Sequence, residues 1–236
     1  MEDYSKPRYM SQDAIAAEQQ RFMVRVYNWM GAGLALTGAM AWFTSTNETI
    51  LGILVANPML FMVLFIAEIG LVFYLAARVM SMPASQAMGV FFLYAGLNGV
   101  TLAPLFLLYT STSLASTFLV TGGMFGAMSV YGYTTKKDLT SWGSFLFMGL
   151  IGIIIGSIVN MFWANSTLYW AVTYIGIFIF IGLTAYDTQK IKEMNILGNE
   201  GTDEDTKEAI RGALSLYLDF INLFLLMLRV MGGQRD

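Results

Sequence analysis

The chain contains no cysteine and no histidine. Without cysteine there is no disulfide, no thiol nucleophile and no thiolate metal site. Without histidine, imidazole zinc sites are excluded, and so is the side chain that ordinarily titrates near neutrality. Any response to pH must come from carboxyl groups displaced from their usual range by burial or by each other. Charge is scarce as well. Only 12% of the 236 residues are charged, against roughly a quarter in a soluble domain. The formal net charge of -3 is small, and no basic face suited to nucleic acid is present.

What fills the chain instead is apolar. Hydrophobic residues make up 56% of it, and the mean hydropathy is +0.60. The charges gather at the two ends and in a few short stretches. Between them lie runs of about 20 apolar residues, each long enough to cross a hydrocarbon core ~30 Å thick. Ala39-Met40-Ala41 has the small-x-small look of a signal-peptide cleavage site. However, a long polar stretch with Asp13 and Glu18 precedes the first apolar run, and that run is too long for a signal core. It reads as a membrane span.

The expected organisation is an all-α membrane protein, a bundle of seven transmembrane helices. A cytoplasmic N-terminal segment (1–21) precedes a transmembrane domain (22–231) and a short tail (232–236). The spans are placed at about Phe22–Phe43, Met59–Ala77, Ser85–Leu108, Leu114–Tyr133, Trp142–Trp163, Leu168–Tyr186 and Ala209–Met231. Thr44–Asn57 reads as a loop with a short apolar detour, and Pro104 as a kink near the end of the third span. Asp187 to Lys207 forms the longest polar loop.

Orientation follows from Lys and Arg. The segments after spans one, three and five carry none. The N-terminal segment carries Lys6, Arg8 and Arg21, and the other connections carry Arg78, Lys136, Lys137, Lys190, Lys192 and Lys207. This alternation places the N-terminus in the cytoplasm. Arg229 and Arg235 leave the seventh segment open between a full crossing and a re-entrant one. Gly122 with Gly126, and Gly152 with Gly156, form GxxxG pairs suited to close helix packing. Trp42, Trp142, Trp163 and Trp170 stand near span ends, as interfacial aromatics do.

Acidic residues within the apolar runs are the informative feature. Each costs about 2.5–3.5 kcal/mol to insert near a helix centre, so each needs a partner, a proton or water. Glu68 lies midway along the second span, Asp219 inside the seventh, and Asp187 at the end of the sixth. The last two belong to the same half of the membrane, and a sixth helix continuing through Ile191 would bring them level. Asn222 shares the face of Asp219. Arg78 is the nearest plausible cation, with a fork of donors able to bridge two carboxylates. Two close carboxylates titrate as a coupled pair. When ionised, Asp187 and Asp219 offer oxygen ligands to a hard cation such as calcium. The same residue types also permit a proton-coupled transporter.

Leu216-Tyr217-Leu218-Asp219-Phe220-Ile221-Asn222-Leu223-Phe224 and Ala185-Tyr186-Asp187-Thr188-Gln189-Lys190-Ile191 carry a resemblance. They are similar to motifs of the Bax inhibitor-1 family, and in particular of its bacterial members, and the likeness extends over nearly the whole chain. It implies a bundle wrapped around a central seventh helix and a pH-sensitive calcium leak of the inner membrane. It also implies an aspartate pair matching Asp187 and Asp219. An arginine joined to that pair in the closed form points to Arg78, and an acidic residue in the second helix matches Glu68. A second function suggested by the resemblance is that of partner or modulator of a membrane-bound AAA protease, acting through the polar N-terminal segment. An intramembrane aspartyl protease is disfavoured because no GxGD motif accompanies the aspartates. The expected protein is not an enzyme and has no cofactor. Its expected partners are the lipid bilayer and a cation.

Overall fold

The structure, a computed structural model, describes residues 11–233. Among the described residues there is helix and connection but no strand. In chain order the helices are α1 (Gln12–Thr46), α2 (Glu48–Ala56), α3 (Pro58–Arg78), α4 (Ala84–Leu102), α5 (Leu105–Leu108), α6 (Ser111–Thr134), α7 (Thr140–Phe162), α8 (Ser166–Met194) and α9 (Asp203–Met231). A 3-10 turn over Val79–Ser81 links α3 to α4. The first ten residues of the expected N-terminal segment, and the last three of the tail, lie outside the described residues.

Local chemistry sets the helix starts. The Ser11 hydroxyl accepts the Ala14 N–H at the head of α1. Asn47, Thr110, Asn165 and Thr202 do the same for α2, α6, α8 and α9. Each supplies an acceptor to an amide that the helix leaves unpaired. Helix α3 opens on Pro58, whose missing N–H costs nothing at a first position. Pro104 interrupts the third apolar run, separating α4 from α5.

Among the described residues, six stretches are long and apolar enough to cross a membrane: 58–81, 84–108, 111–134, 140–162, 166–194 and 203–231. They correspond to the second to seventh expected spans. The expected first span lies in α1 and is not among them. At 35 residues α1 is long enough, but Asn28, several glycines and Thr37 and Thr44 dilute its apolar residues. The stretch from Thr44 to Asn57, expected as a loop, is mostly helix α2. Apolar residues of good helix propensity follow the Asn47 cap there, and together they suffice for a short helix.

Helix α9 packs against α1, α4, α6 and α8, while α3 packs mainly on α4 and α7 on α8. Tyr217, Leu216, Ile210, Leu223 and Leu228 of α9 are among the largest fully buried side chains. Helices α1 and α9 run side by side in the same direction. Glu18 pairs with Gly198, Arg25 with Asp205, and Thr37 with Tyr217, each time 180 residues apart.

One end of the bundle collects most of the charge. There Lys192 Nζ donates to the Tyr133 carbonyl at 2.9 Å, Gln189 Nε2 to the Lys137 carbonyl at 2.9 Å, and Lys207 Nζ to the Met80 carbonyl at 3.3 Å. The start of α1 joins them through Arg21 and Arg25, which pair with Glu200 and Asp205. At the opposite end the Thr110 N–H donates to the Gly233 carbonyl, and the Gly233 N–H to the Ser113 hydroxyl. Helix α9 therefore runs unbroken from the charged end to the other.

The GxxxG expectation is corrected in part. A Cβ added at Gly122, Gly126 or Gly152 would meet nothing, and only Gly156 faces a neighbour, Val172. Close approach is made instead by single glycines. Gly99 lies against the Thr37 carbonyl and Gly132 against the Ala185 carbonyl, so a side chain at either would strike backbone. Spacing alone does not reveal which glycine face turns inward.

Candidate functional site

The sixth expected span ends near Tyr186, yet α8 continues to Met194. Asp187 and Lys190 keep the helix going because Thr188, Gln189 and Ile191 on its inner face are buried. The extension brings Asp187 opposite Ser215 of α9, whose hydroxyl donates to Asp187 Oδ2 at 2.5 Å. One turn further along α9 is Asp219, only 5% exposed. Its Oδ2 has no hydrogen-bond partner among the described residues. Asp219 thus follows, by one helical turn, the residue that bonds Asp187.

Ser215, Asp219 and Asn222 thus form a polar stripe on α9 at spacings of four and three, one helix face. Asn222 turns its amide back onto the Leu218 carbonyl at 2.8 Å, within its own helix. It lies on the stripe but does not bond to Asp219. Ser215 escaped the sequence reading, although its place four residues before Asp219 was the available signal.

Arg78 is not part of this arrangement. It ends α3, which packs mainly on α4, and its side chain is exposed with no ion pair among the described residues. The basic residue nearest to Asp187 along α8 is Lys190, three residues on, whose ammonium lies 5.4 Å from the Tyr186 ring centre. An i,i+3 neighbour on the same helix reaches Asp187 without crossing the bundle.

Glu68 is buried too, at 6% exposure, but in a separate place. Thr101 of α4 donates to its Oε1 at 2.6 Å. Tyr217, fully buried on α9, has its ring edge-on to Tyr94 and Phe91. The Tyr217 hydroxyl lies 2.7 Å from that of Thr37, which is also 2.8 Å from the Ala95 carbonyl. Thr37 has one proton. When it donates to Ala95, Tyr217 donates to Thr37, and both hydroxyls are satisfied.

A charged latch closes the end beyond the aspartates. Arg21 grips Glu200 through Nε and Nη2, and Arg25 spans Glu200 at 3.2 Å and Asp205 at 2.8 Å. Asp205 is buried and its Oδ2 accepts the Gly201 N–H at 2.9 Å. Gly201 has φ +80°, a conformation that favours glycine. The Arg21 hydrogen bond, with Arg25 beside it, holds the Glu200 carboxyl below its ordinary range.

Comparison with known proteins agrees with this frame. The family model described as "Inhibitor of apoptosis-promoting Bax1" matches residues 19–236. The chain belongs to the Bax inhibitor-1 family. Among similar proteins is the inner membrane protein YbhL of Escherichia coli strain K12, 47% identical over 97% of this chain and 99% of that one. An uncharacterised protein of Borreliella burgdorferi is 43% identical over 92% of this chain and 94% of its own length. The Rickettsia prowazekii protein RP147 is 46% identical over 92% and 91%. This Bax inhibitor-1 family protein is therefore an all-helical membrane protein, with two acidic sites buried among its apolar helices.

Proposed function

We propose that the protein is a pH-sensitive cation leak, with calcium as the transported ion, and that the Asp187–Asp219 pair is its gate. The observation carrying this reading is Asp219: buried within an apolar helix, with Oδ2 unpartnered among the described residues and Asp187 beside it. Burying an unpaired carboxylate is expensive, so the group holds a proton or meets a cation. Calcium takes six to eight oxygens. The two carboxyls and the Ser215 hydroxyl offer at most about five of these, and water supplies the rest. That composition suits brief passage better than tight storage.

In this reading the protein lies in the inner membrane with its charged end, and so its N-terminus, in the cytoplasm. Helix α1 crosses beside α9 as a seventh span, because it keeps a constant offset from α9 over the same height. α9 is then the central helix around which the others pack. The protease-modulator reading rests on the N-terminal segment, whose first ten residues lie outside the described residues.

The test is calcium flux into proteoliposomes across a pH series, with Asp219→Asn beside the wild type. The expected result is wild-type flux that varies with pH and a variant whose flux no longer follows pH. Equal flux with equal pH dependence in both proteins refutes the gate.

A further inference from the structure

Threonines in these helices generally close their hydroxyl on the carbonyl four residues back. Thr134, Thr173 and Thr184 all do so, at 2.7–2.8 Å. Thr117 and Thr121 of α6 do not. Both are completely buried, and neither hydroxyl oxygen has a partner among the described residues. Helix α6 packs against α8 and α9, and these hydroxyls are enclosed there, unpartnered among the described residues.

The contacts also fix their height. Tyr133 meets Lys192 and Ser129 meets Thr188, both at a separation of 59 residues. The same register sets Thr121 beside Phe180 and Thr117 beside Gly176. Gly176 in turn lies against Leu226 of α9. Phe118 and Phe125 both touch Phe220, placing the intervening Thr121 next to the turn that follows Asp219. Three unpartnered buried oxygens, on Asp219, Thr121 and Thr117, therefore climb in order from the aspartate pair toward the opposite end.

From this placement we infer that Thr117, Thr121 and Asp219 hold a file of ordered water between α6, α8 and α9. On the leak reading above, this file is the route by which a hydrated cation passes beyond the pair. Residues four apart on a helix are separated by about 6 Å along its axis. One water accepting or donating at about 2.8 Å to each hydroxyl closes that gap. Orphaned buried polar groups are what internal water satisfies, at two to four bonds per molecule. A hydroxyl neither repels a cation nor holds it strongly, as a conducting path requires.

The test is radiolytic hydroxyl labelling of the full-length protein in lipid nanodiscs, with calcium flux measured on the same preparations. Internal water generates label at its side. Wild type is expected to show label at Phe180 and Leu223, which are buried among apolar groups at that height. The isosteric double variant Thr117→Val with Thr121→Val should lose that label and pass calcium about tenfold more slowly. Thr117→Ser with Thr121→Ser should keep both, which separates loss of the hydroxyl from loss of packing. Absence of label in the wild type, or label unchanged in the valine variant, overturns the water file. Label lost with flux unchanged overturns its part in passage. Label present in a wild type that passes no calcium sinks the leak reading alone and leaves the water site standing.

Discussion

Ser215 and Asp187 join the last two long helices at one point, hydroxyl to carboxyl, 2.5 Å apart. This bond fixes the height at which α8 meets α9, and with it the position of Asp219 one turn away. A displacement of either helix would part both carboxyl groups from their surroundings together.

Replacing Ser215 with alanine removes that donor and leaves Asp187 Oδ2 unpartnered in a largely apolar setting. The expected cost is about 1–3 kcal/mol of stability, read as a lowered melting temperature in detergent. An unchanged melting temperature would show that water replaces the hydroxyl freely.

Tyr217→Phe tests the other buried hydroxyl on α9. Thr37 keeps the Ala95 carbonyl as acceptor when the phenol is lost. The change should cost only about 0.5–1.5 kcal/mol and leave the pH dependence of calcium flux as in the wild type. A shifted pH profile would place Tyr217 in the gate.

Gly132→Ala should be destabilising, because its Cβ would strike the backbone carbonyl of Ala185. A penalty of about 1–3 kcal/mol or more is expected from overpacking. Gly122→Ala, with open space around it, should be neutral or stabilising by about 0.5–1 kcal/mol. Paired thermal unfolding curves compare the two directly, and equal melting temperatures would contradict the packing.

The latch of Arg21, Arg25 and Glu200 should loosen in acid. The folded-state pKa of Glu200 is lowered, chiefly by the Arg21 hydrogen bond. Its contribution is therefore complete above the ordinary glutamate value of about 4.3 and is lost as pH falls through the lowered value. Amide exchange across 196–202, corrected for its intrinsic pH dependence, should show protection at neutral pH that fades in acid. Glu200→Gln should show the weaker protection throughout, and raised salt should weaken the exposed pair in the wild type.

Much of the architecture was legible in the amino acids because lipid leaves few choices. A run of 20 apolar residues in a bilayer must be helical to satisfy its own backbone, so α3, α4, α6 and α7 were found to within a few residues. The cost of buried charge likewise singled out Glu68, Asp187 and Asp219 before any helix was placed. Arg78 is a different case. Which helix faces which depends on packing around the bundle, and α3 lies against α4 while Asp187 lies on α8. The extension of α8 through Asp187 and Lys190 was visible only in part, since charged residues hide a helix whose other face is buried.

Composition and pattern by themselves determined that this is a helical membrane protein with carboxyl groups where lipid does not admit them. Each of those conclusions follows from transfer free energy, which depends on residue type and neighbours along the chain. Only the tertiary structure decided that Ser215 reaches Asp187, that Glu68 stands apart with Thr101, and that Thr117 and Thr121 look inward unpartnered. Those relations depend on the rotation and height of each helix against its neighbours, which side-chain volumes fix through packing that no single stretch of sequence contains.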